Sequence, residues 1–308
     1  MISSRELVWS EEFESEASLP NSEKSVFTQQ YNTMKVAKET YDENGNKVPC
    51  NQNITITTTD TAGQENCTIV EDIIDGKAKN VLKISTVTKN GQTTLAKSIT
   101  TFGKLMFRYG YLEMRAKVPN VRGAWPSFWM RSGNPYTGEK PFGEIDVFEI
   151  YGTSYKPTVE NNCVGSSTLH KWLESGHCNL GAANASYMFG ETNRFEFDPN
   201  IYHTFGVEWT HDFVSFYFDG EMTCKIDMNI DFCAHKNDDG TRVHPGMDCF
   251  NQYFYICINN WLFDKIDQST WAKTQWIDII DGGVNADYYI DYIRLYQNPS
   301  LNEEVIFD

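Results

Sequence analysis

The chain has 308 residues, 40% of them hydrophobic and 14% aromatic, and a formal net charge of −16. That length can bury one sizeable core, since all-β domains of about 200–250 residues commonly fold as one unit. The acidic balance excludes the clustered Lys and Arg on which binding to nucleic acid or an anionic membrane depends, and no run of ~18 apolar residues is present to span a bilayer.

Taken from the N-terminus, residues 1–6 carry no apolar leader core, and Leu7-Val8-Trp9-Ser10-Glu11-Glu12-Phe13 reads as a first strand. Residues 14–80 read mainly as long loop, with Glu43-Asn44-Gly45-Asn46 as a turn. Alternation marks strands at 81–88, 111–118, 213–218 and 289–296, with Lys89-Asn90-Gly91-Gln92 and Asp219-Gly220 as hairpin turns. Trp125 and Trp129 differ by four positions, so in a regular strand they share a face. Residues 153–200 form a second long loop, in which His170 and Trp172 follow a short strand-like run. Residues 253–259 are apolar and strand-like, and Trp261 follows Asn259-Asn260 in a loop. Convincing helices are few, and no repeat or low-complexity linker interrupts the chain. The pattern implies one domain over residues 1–308, all-β, an antiparallel sandwich or jelly roll with a concave groove rimmed by the two long loops.

The most informative segment is Glu144-Ile145-Asp146-Val147-Phe148-Glu149. Its β-branched and aromatic residues, with glycines at 143 and 152, make it a strand. Glu144 and Asp146 then share a face, while Ile145 and Val147 enter the core. Glu149 lies three residues past Asp146, and strict alternation would bury its charge at great cost. A β-bulge near Val147-Phe148 returns it to the side of the other two acids. Three carboxyls so close cannot all ionise freely, so at least one holds its proton. A retaining glycosidase needs that asymmetry: an ionised nucleophile and a protonated acid roughly 5–5.5 Å apart.

Upstream of the acids stand Phe107-Arg108-Tyr109-Gly110-Tyr111-Leu112-Glu113-Met114-Arg115 and Gly123-Ala124-Trp125-Pro126-Ser127-Phe128-Trp129-Met130. Together with the first strand, with residues 203–210 and 216–220, and with Tyr289-Ile290-Asp291-Tyr292-Ile293-Arg294-Leu295-Tyr296-Gln297, they give a chain that resembles glycoside hydrolase family 16, the laminarinase and lichenase type of endo-β-glycanase. The resemblance implies Glu144 as nucleophile, Asp146 as the assisting carboxylate hydrogen-bonded to it, and Glu149 as general acid/base. The six-residue, bulged form is similar to that of laminarinases, agarases, carrageenases and porphyranases. Many laminarinases carry an arginine just before Leu/Ile-Thr-Thr, where this chain has Ser98-Ile99-Thr100-Thr101.

Sugar rings stack on indoles, which makes Trp125, Trp129, Trp172 and Trp261 the candidate platforms, with His170 and Asn259 as polar contacts; Trp9 and Trp209 are expected in the core. Catalysis by carboxylates requires no cofactor. The family's structural Ca²⁺ would correspond here to Glu12 and Asp291, oxygen donors suited to a hard cation. The eight cysteines lack zinc spacing; Cys50/Cys67, Cys163/Cys178 and Cys233/Cys249 are candidate disulfides, and Asn53, Asn66 and Asn184 stand in glycosylation sequons. The expectation is a monomeric, exported enzyme whose leader is absent from this sequence, hydrolysing internal bonds of a polysaccharide, a β-1,3- or mixed-linkage β-glucan. Two alternatives are an endo-β-galactanase or endo-β-galactosidase on agar-type or mucin-type chains, and a non-catalytic carbohydrate-binding protein.

Overall fold

A computed structural model of the chain describes residues 4–29, 39–41, 47–49, 55–57, 66–89, 92–96, 98–121, 124–137, 141–150, 163–173, 176–179, 194–228, 249–262 and 285–307. Two large sheets, antiparallel except for one short parallel pair, face each other. The first runs, in spatial order, through Glu221–Asp227, Phe213–Phe218, His203–Trp209, Gly110–Lys117, Ala286–Gln297 and Lys77–Lys89. Glu6–Glu11 pairs with Ala286–Gln297, and Cys67–Ile74 with Lys77–Lys89. The second runs through Gly176–Asn179, Cys163–Leu173, Phe142–Ile150, Ala124–Ser132, Phe254–Leu262, Leu105–Arg108 and Glu304–Phe307. This is the expected all-β sandwich of jelly-roll type. No helix among the described residues is long and apolar enough to cross a membrane.

Alternation produces the core. Leu82, Ile84, Leu112 and Met114 come inward from the first sheet and meet Phe128, Ile145, Phe148 and Ile258 from the second, all at most 1% exposed. Phe148 reaches Phe205 at 4.1 Å and Tyr288 at 6.2 Å between ring centroids, so it packs across the interface. The chain passes from the second sheet to the first between Leu105–Arg108 and Gly110–Lys117. There Tyr109 has φ 63° and Gly110 φ 123°. A Cβ on Gly110 would lie 2.8 Å from the Tyr296 carbonyl oxygen, so only glycine fits this crossing.

Turn chemistry sets the hairpins. Asp219 and Gly220 both have positive φ and join the paired Phe218 and Glu221, the backbone a two-residue hairpin requires. Asp75-Gly76 does the same between Ile74 and Lys77, inside the stretch read from sequence as loop. That stretch also holds Cys67–Ile74, and the second expected loop holds the eleven-residue strand Cys163–Leu173. Both were obscured because their alternation is broken by polar residues on an outer face. Residues 42–46 and 90–91 lie outside the described residues, but the strands flanking each pair antiparallel.

Cys67 and Cys163 are free thiols buried in the core, so neither candidate disulfide that includes them is formed. Cys50 and Cys233 lie outside the described residues. Asn66 is 1% exposed and donates to the Ser85 and Thr94 carbonyls, which removes it as a glycosylation acceptor. The sequons at Asn53 and Asn184 lie outside the described residues.

Candidate active site

The strand Phe142–Ile150 carries the expected bulge. Against Cys163–Leu173, Asp146 faces Thr168 and Glu149 faces Ser166, so three steps on one strand match two on the other. Against Ala124–Ser132, Phe148 faces Phe128 while Asp146 faces Trp129, which leaves Val147 as the extra residue. Val147 and Phe148 both enter the core, and Glu149 returns to the outer face with Glu144 and Asp146. Gly143 seats this strand: a Cβ there would meet the Cys249 carbonyl oxygen at 2.6 Å.

The neighbouring strands are regular and present alternate residues to the same face. Ala124–Ser132 supplies Trp125, Ser127, Trp129 and Arg131; Phe254–Leu262 supplies Tyr255, Cys257, Asn259 and Trp261; Cys163–Leu173 supplies Ser166, Thr168, His170 and Trp172. Trp125 Nε1 donates to Glu149 Oε1 at 3.1 Å, and Trp172 Nε1 donates to Glu144 Oε2 at 3.1 Å. Each of the outer carboxyls is thus oriented by an indole. His170 Nε2 lies 2.9 Å from Asp146 Oδ2 and 3.8 Å from Glu144 Oε1. Asp146 Oδ2 is buried and receives no aligned hydrogen bond.

Proton affinities follow from this packing. Burial pushes Glu144 up to about 8, helped by Asp146 and opposed by His170 and Arg131. Burial likewise raises Asp146 well above the usual carboxyl range, reinforced by the charge of Glu149 and by a hydrogen bond to it. Both carboxyls therefore hold their protons more tightly than an ordinary acid, and His170 and Arg131 favour the charged form of Glu144. The middle acid was expected to bond the nucleophile; a hydrogen bond joins it to Glu149, which the bulge brings alongside.

The other sequence candidates separate by environment. Trp125 and Trp261 are half-buried and meet edge to face at 5.7 Å, forming one aromatic wall. Trp261 lies within a strand rather than a loop. Asn259 is 1% exposed: its Oδ1 accepts from Trp129 Nε1 at 2.6 Å and its Nδ2 donates to Ser98 Oγ at 2.6 Å. Its amide is used inside the protein, to fix the Trp129 ring. Ser98, noted in the sequence only for what it is not, belongs to this chain of contacts. Trp209 is core, as expected, and Trp9 is half-buried against it. Sequence reasoning passed over Arg131 and Tyr255, although alternation from Trp125 and Trp129 already places Arg131 on the same face.

One oxygen each from Glu144 and Asp146 and a nitrogen of His170 lie within 4.8 Å of one another, a composition able to hold a metal ion. These are also the groups that carbohydrate chemistry would employ. The pair expected to bind Ca²⁺ does not fit that ion. Arg294 donates to both Glu12 oxygens at 2.8 and 2.9 Å, and Lys79 Nζ sits 2.5 Å from Asp291 Oδ1 and 3.7 Å from Glu12. Arg115 lies 3.6 Å from the other Asp291 oxygen. The protein's own cations occupy the positions around these oxygens, and a divalent ion would be repelled by them.

The sequence profile described as "Glycosyl hydrolases family 16" matches residues 28–233. A β-1,3-glucan-binding protein of Penaeus monodon is 27% identical over 236 residues, 67% of this chain and 63% of that protein. An endo-1,3-1,4-β-glycanase of Rhizobium meliloti is 28% identical over 170 residues, 54% of this chain and 31% of that one. The chain therefore spans less than two thirds of either relative's length. Among solved structures, a Bacteroides ovatus mixed-linkage-glucan enzyme superposes with a TM-score of 0.58 at 17% identity, covering 94% of this chain and all of that one, which bears on the fold.

Proposed function

Since this chain belongs to the glycosyl hydrolases of family 16, we propose that it is an endo-acting, retaining β-glycanase, with a β-1,3- or mixed-linkage β-glucan as substrate. The observation that supports this most is the bulge at Val147, which delivers Glu149 to the face shared by Glu144 and Asp146. Glu144 attacks the anomeric carbon and forms an ester bond to the sugar as the glycosidic oxygen departs with a proton from Glu149. Glu149 then takes a proton from water, and the resulting hydroxide equivalent displaces Glu144. His170 favours the charged form of Glu144, and Asp146 carries a proton so that the three carboxyls are not all charged at once. Trp125, Trp129, Trp172 and Trp261 offer ring faces for sugars on either side of the catalytic strand.

In this reading the protein works as a monomer outside the cytoplasm, where polymeric glycans are met, and requires no cofactor. A second reading, an endo-β-galactosidase on agar-type or mucin-type chains, is favoured by Ser98 standing where an arginine was expected from the laminarinase resemblance. Incubation with laminarin, mixed-linkage glucan, agarose and mucin glycans, followed by reducing-end assay and product mass, separates these. Oligosaccharides from the first two support the glucanase, and products from the last two alone move the assignment to galactans. Binding without release identifies a carbohydrate-binding protein and sinks the enzymatic reading.

A further inference from the structure

Arginine side chains in this acidic chain find carboxylates. Arg5 contacts Glu208 and Glu303, Arg108 contacts Glu304, Arg115 contacts Asp75, and Arg294 contacts Glu12, all at 2.6–2.9 Å. Arg131 is the exception among the described arginine side chains: no described carboxylate lies within ion-pair distance of it. Its guanidinium carbon sits 3.8 Å from the centre of the Phe142 ring, and Phe142 stacks in turn on Trp172 at 5.7 Å and 20°. Its Nε makes only a long contact, 3.4 Å, to the Ser132 carbonyl. The stacking fixes the plane of the guanidinium and leaves its two Nη groups available.

The register places this group beside the reaction. Glu144 faces Arg131 on one neighbouring strand, and Arg131 faces Tyr255 on the next, so the three form one row across the sheet. Tyr255 is 0% exposed, capped by Phe102 at 4.9 Å edge to face, and its hydroxyl has no hydrogen-bond partner. A buried hydroxyl without a partner is costly, and here it stands at the register position beside Arg131.

We propose that Arg131 and Tyr255 form a subsite for an anionic substituent, a sulfate ester or a uronate carboxylate, on the sugar seated over Glu144. A planar pair of N–H donors matches two oxygens of either group, and the phenol adds a third donor. A neutral hydroxyl would use one donor and leave the guanidinium charge uncompensated. The proposal rests on the glycanase reading and narrows its substrate to a β-glycan that carries such a group, because it is the attack by Glu144 that brings a sugar to this row.

The test takes the neutral β-glycan that the wild-type protein cleaves, together with its chemically sulfated and its C6-oxidised derivatives. For each polymer, kcat and KM are measured for the wild type, Arg131→Gln and Tyr255→Phe. The wild type is expected to favour at least one anionic derivative, and which one it favours distinguishes sulfate from carboxylate. Arg131→Gln should lower the anionic-to-neutral ratio of kcat/KM about tenfold, mainly through KM, as loss of a charge-assisted contact implies. Tyr255→Phe should lower it about threefold. A ratio unchanged in Arg131→Gln, or a wild type that prefers the neutral polymer, overturns the subsite while leaving the glycanase intact. Absence of turnover on every polymer overturns the glycanase reading, and this proposal with it.

Discussion

On one outer face of the sandwich, Glu12 is gripped at both oxygens by Arg294, Asp291 by Lys79, and Asp72 by Lys117. On the other, Glu144, Asp146 and Glu149 stand in a single strand, with His170 in ion-pair reach of the first two. The proton affinities diverge accordingly. Glu12 falls below the ordinary carboxyl value through its hydrogen bond to Arg294, and Asp75 falls through Arg115, while Glu144 and Asp146 rise through burial. The same residue type thus serves stability on one face and chemistry on the other. What separates them is whether a Lys or Arg side chain reaches the carboxylate oxygens, as Arg294 and Lys79 do.

The sharpest way to break the comparison is to remove an acid from the catalytic strand. Glu144→Gln and Glu149→Gln should each lower kcat at least ~10³-fold while leaving the circular dichroism of the sandwich unchanged. Near-normal turnover in either variant would return these acids to the class of solvated surface groups. On the opposite face, Lys79→Met takes the ammonium from Asp291, whose side chain is 2% exposed. It should cost about 2 kcal/mol, toward the low end for a broken buried pair because Lys79 is itself a third exposed, and lower the melting temperature by about 4 °C. A chelator should leave the wild-type melting temperature unmoved, since Arg294 and Lys79 already neutralise Glu12 and Asp291; a chelator-induced fall would show that a divalent ion holds this face.

How much of this was legible in the sequence differs between the two faces for a physical reason. The hexapeptide declared itself because a buried charge at Glu149 is untenable without a bulge, so spacing alone predicts the local backbone. Shared parity likewise placed Trp125 and Trp129 together on the open face. The counterions were invisible, because Lys79 is 212 positions from Asp291 in the chain and meets it only through the pairing of strands Lys77–Lys89 and Ala286–Gln297. The strand Cys67–Ile74 was missed and Cys163–Leu173 was read only as a short strand-like run, since one of their faces lies open and carries polar residues, although Asp75-Gly76 was an available hairpin signal. Asn259 looked like a sugar contact on its polarity, and its burial against Trp129 and Ser98 emerges only from sheet register.

A smaller effect sharpens the contrast through pH. Glu144 releases its proton near 4.5 as an ordinary carboxyl and near 8 in the fold. Between those values the native state holds the additional proton, so its stability falls as pH rises across the window. Glu144→Gln cannot ionise, and its melting temperature should climb by several degrees relative to wild type from pH 4.5 to 8. Glu12 carries the opposite sign: with its affinity depressed, its contribution is present above the ordinary carboxyl value and is lost as pH falls through the lower one. A flat difference curve for Glu144→Gln would mean that its carboxyl is as well solvated as an exposed acid.

The smallest change acts one step away from the acids. Ser98→Ala leaves the Asn259 amide without its acceptor and loosens Trp129, which should raise KM about threefold with kcat retained. A fall in kcat alone would place Ser98 in the chemistry rather than in ring positioning.

The division of labour between Glu144 and Glu149 is tested most directly by trapping the sugar on the protein. Incubation with a 2-deoxy-2-fluoro oligosaccharide bearing an activated leaving group, followed by peptide mass mapping, should find one added glycosyl mass on Glu144. An adduct on Glu149 or Asp146, or turnover without any adduct and with inverted product configuration, would contradict the account.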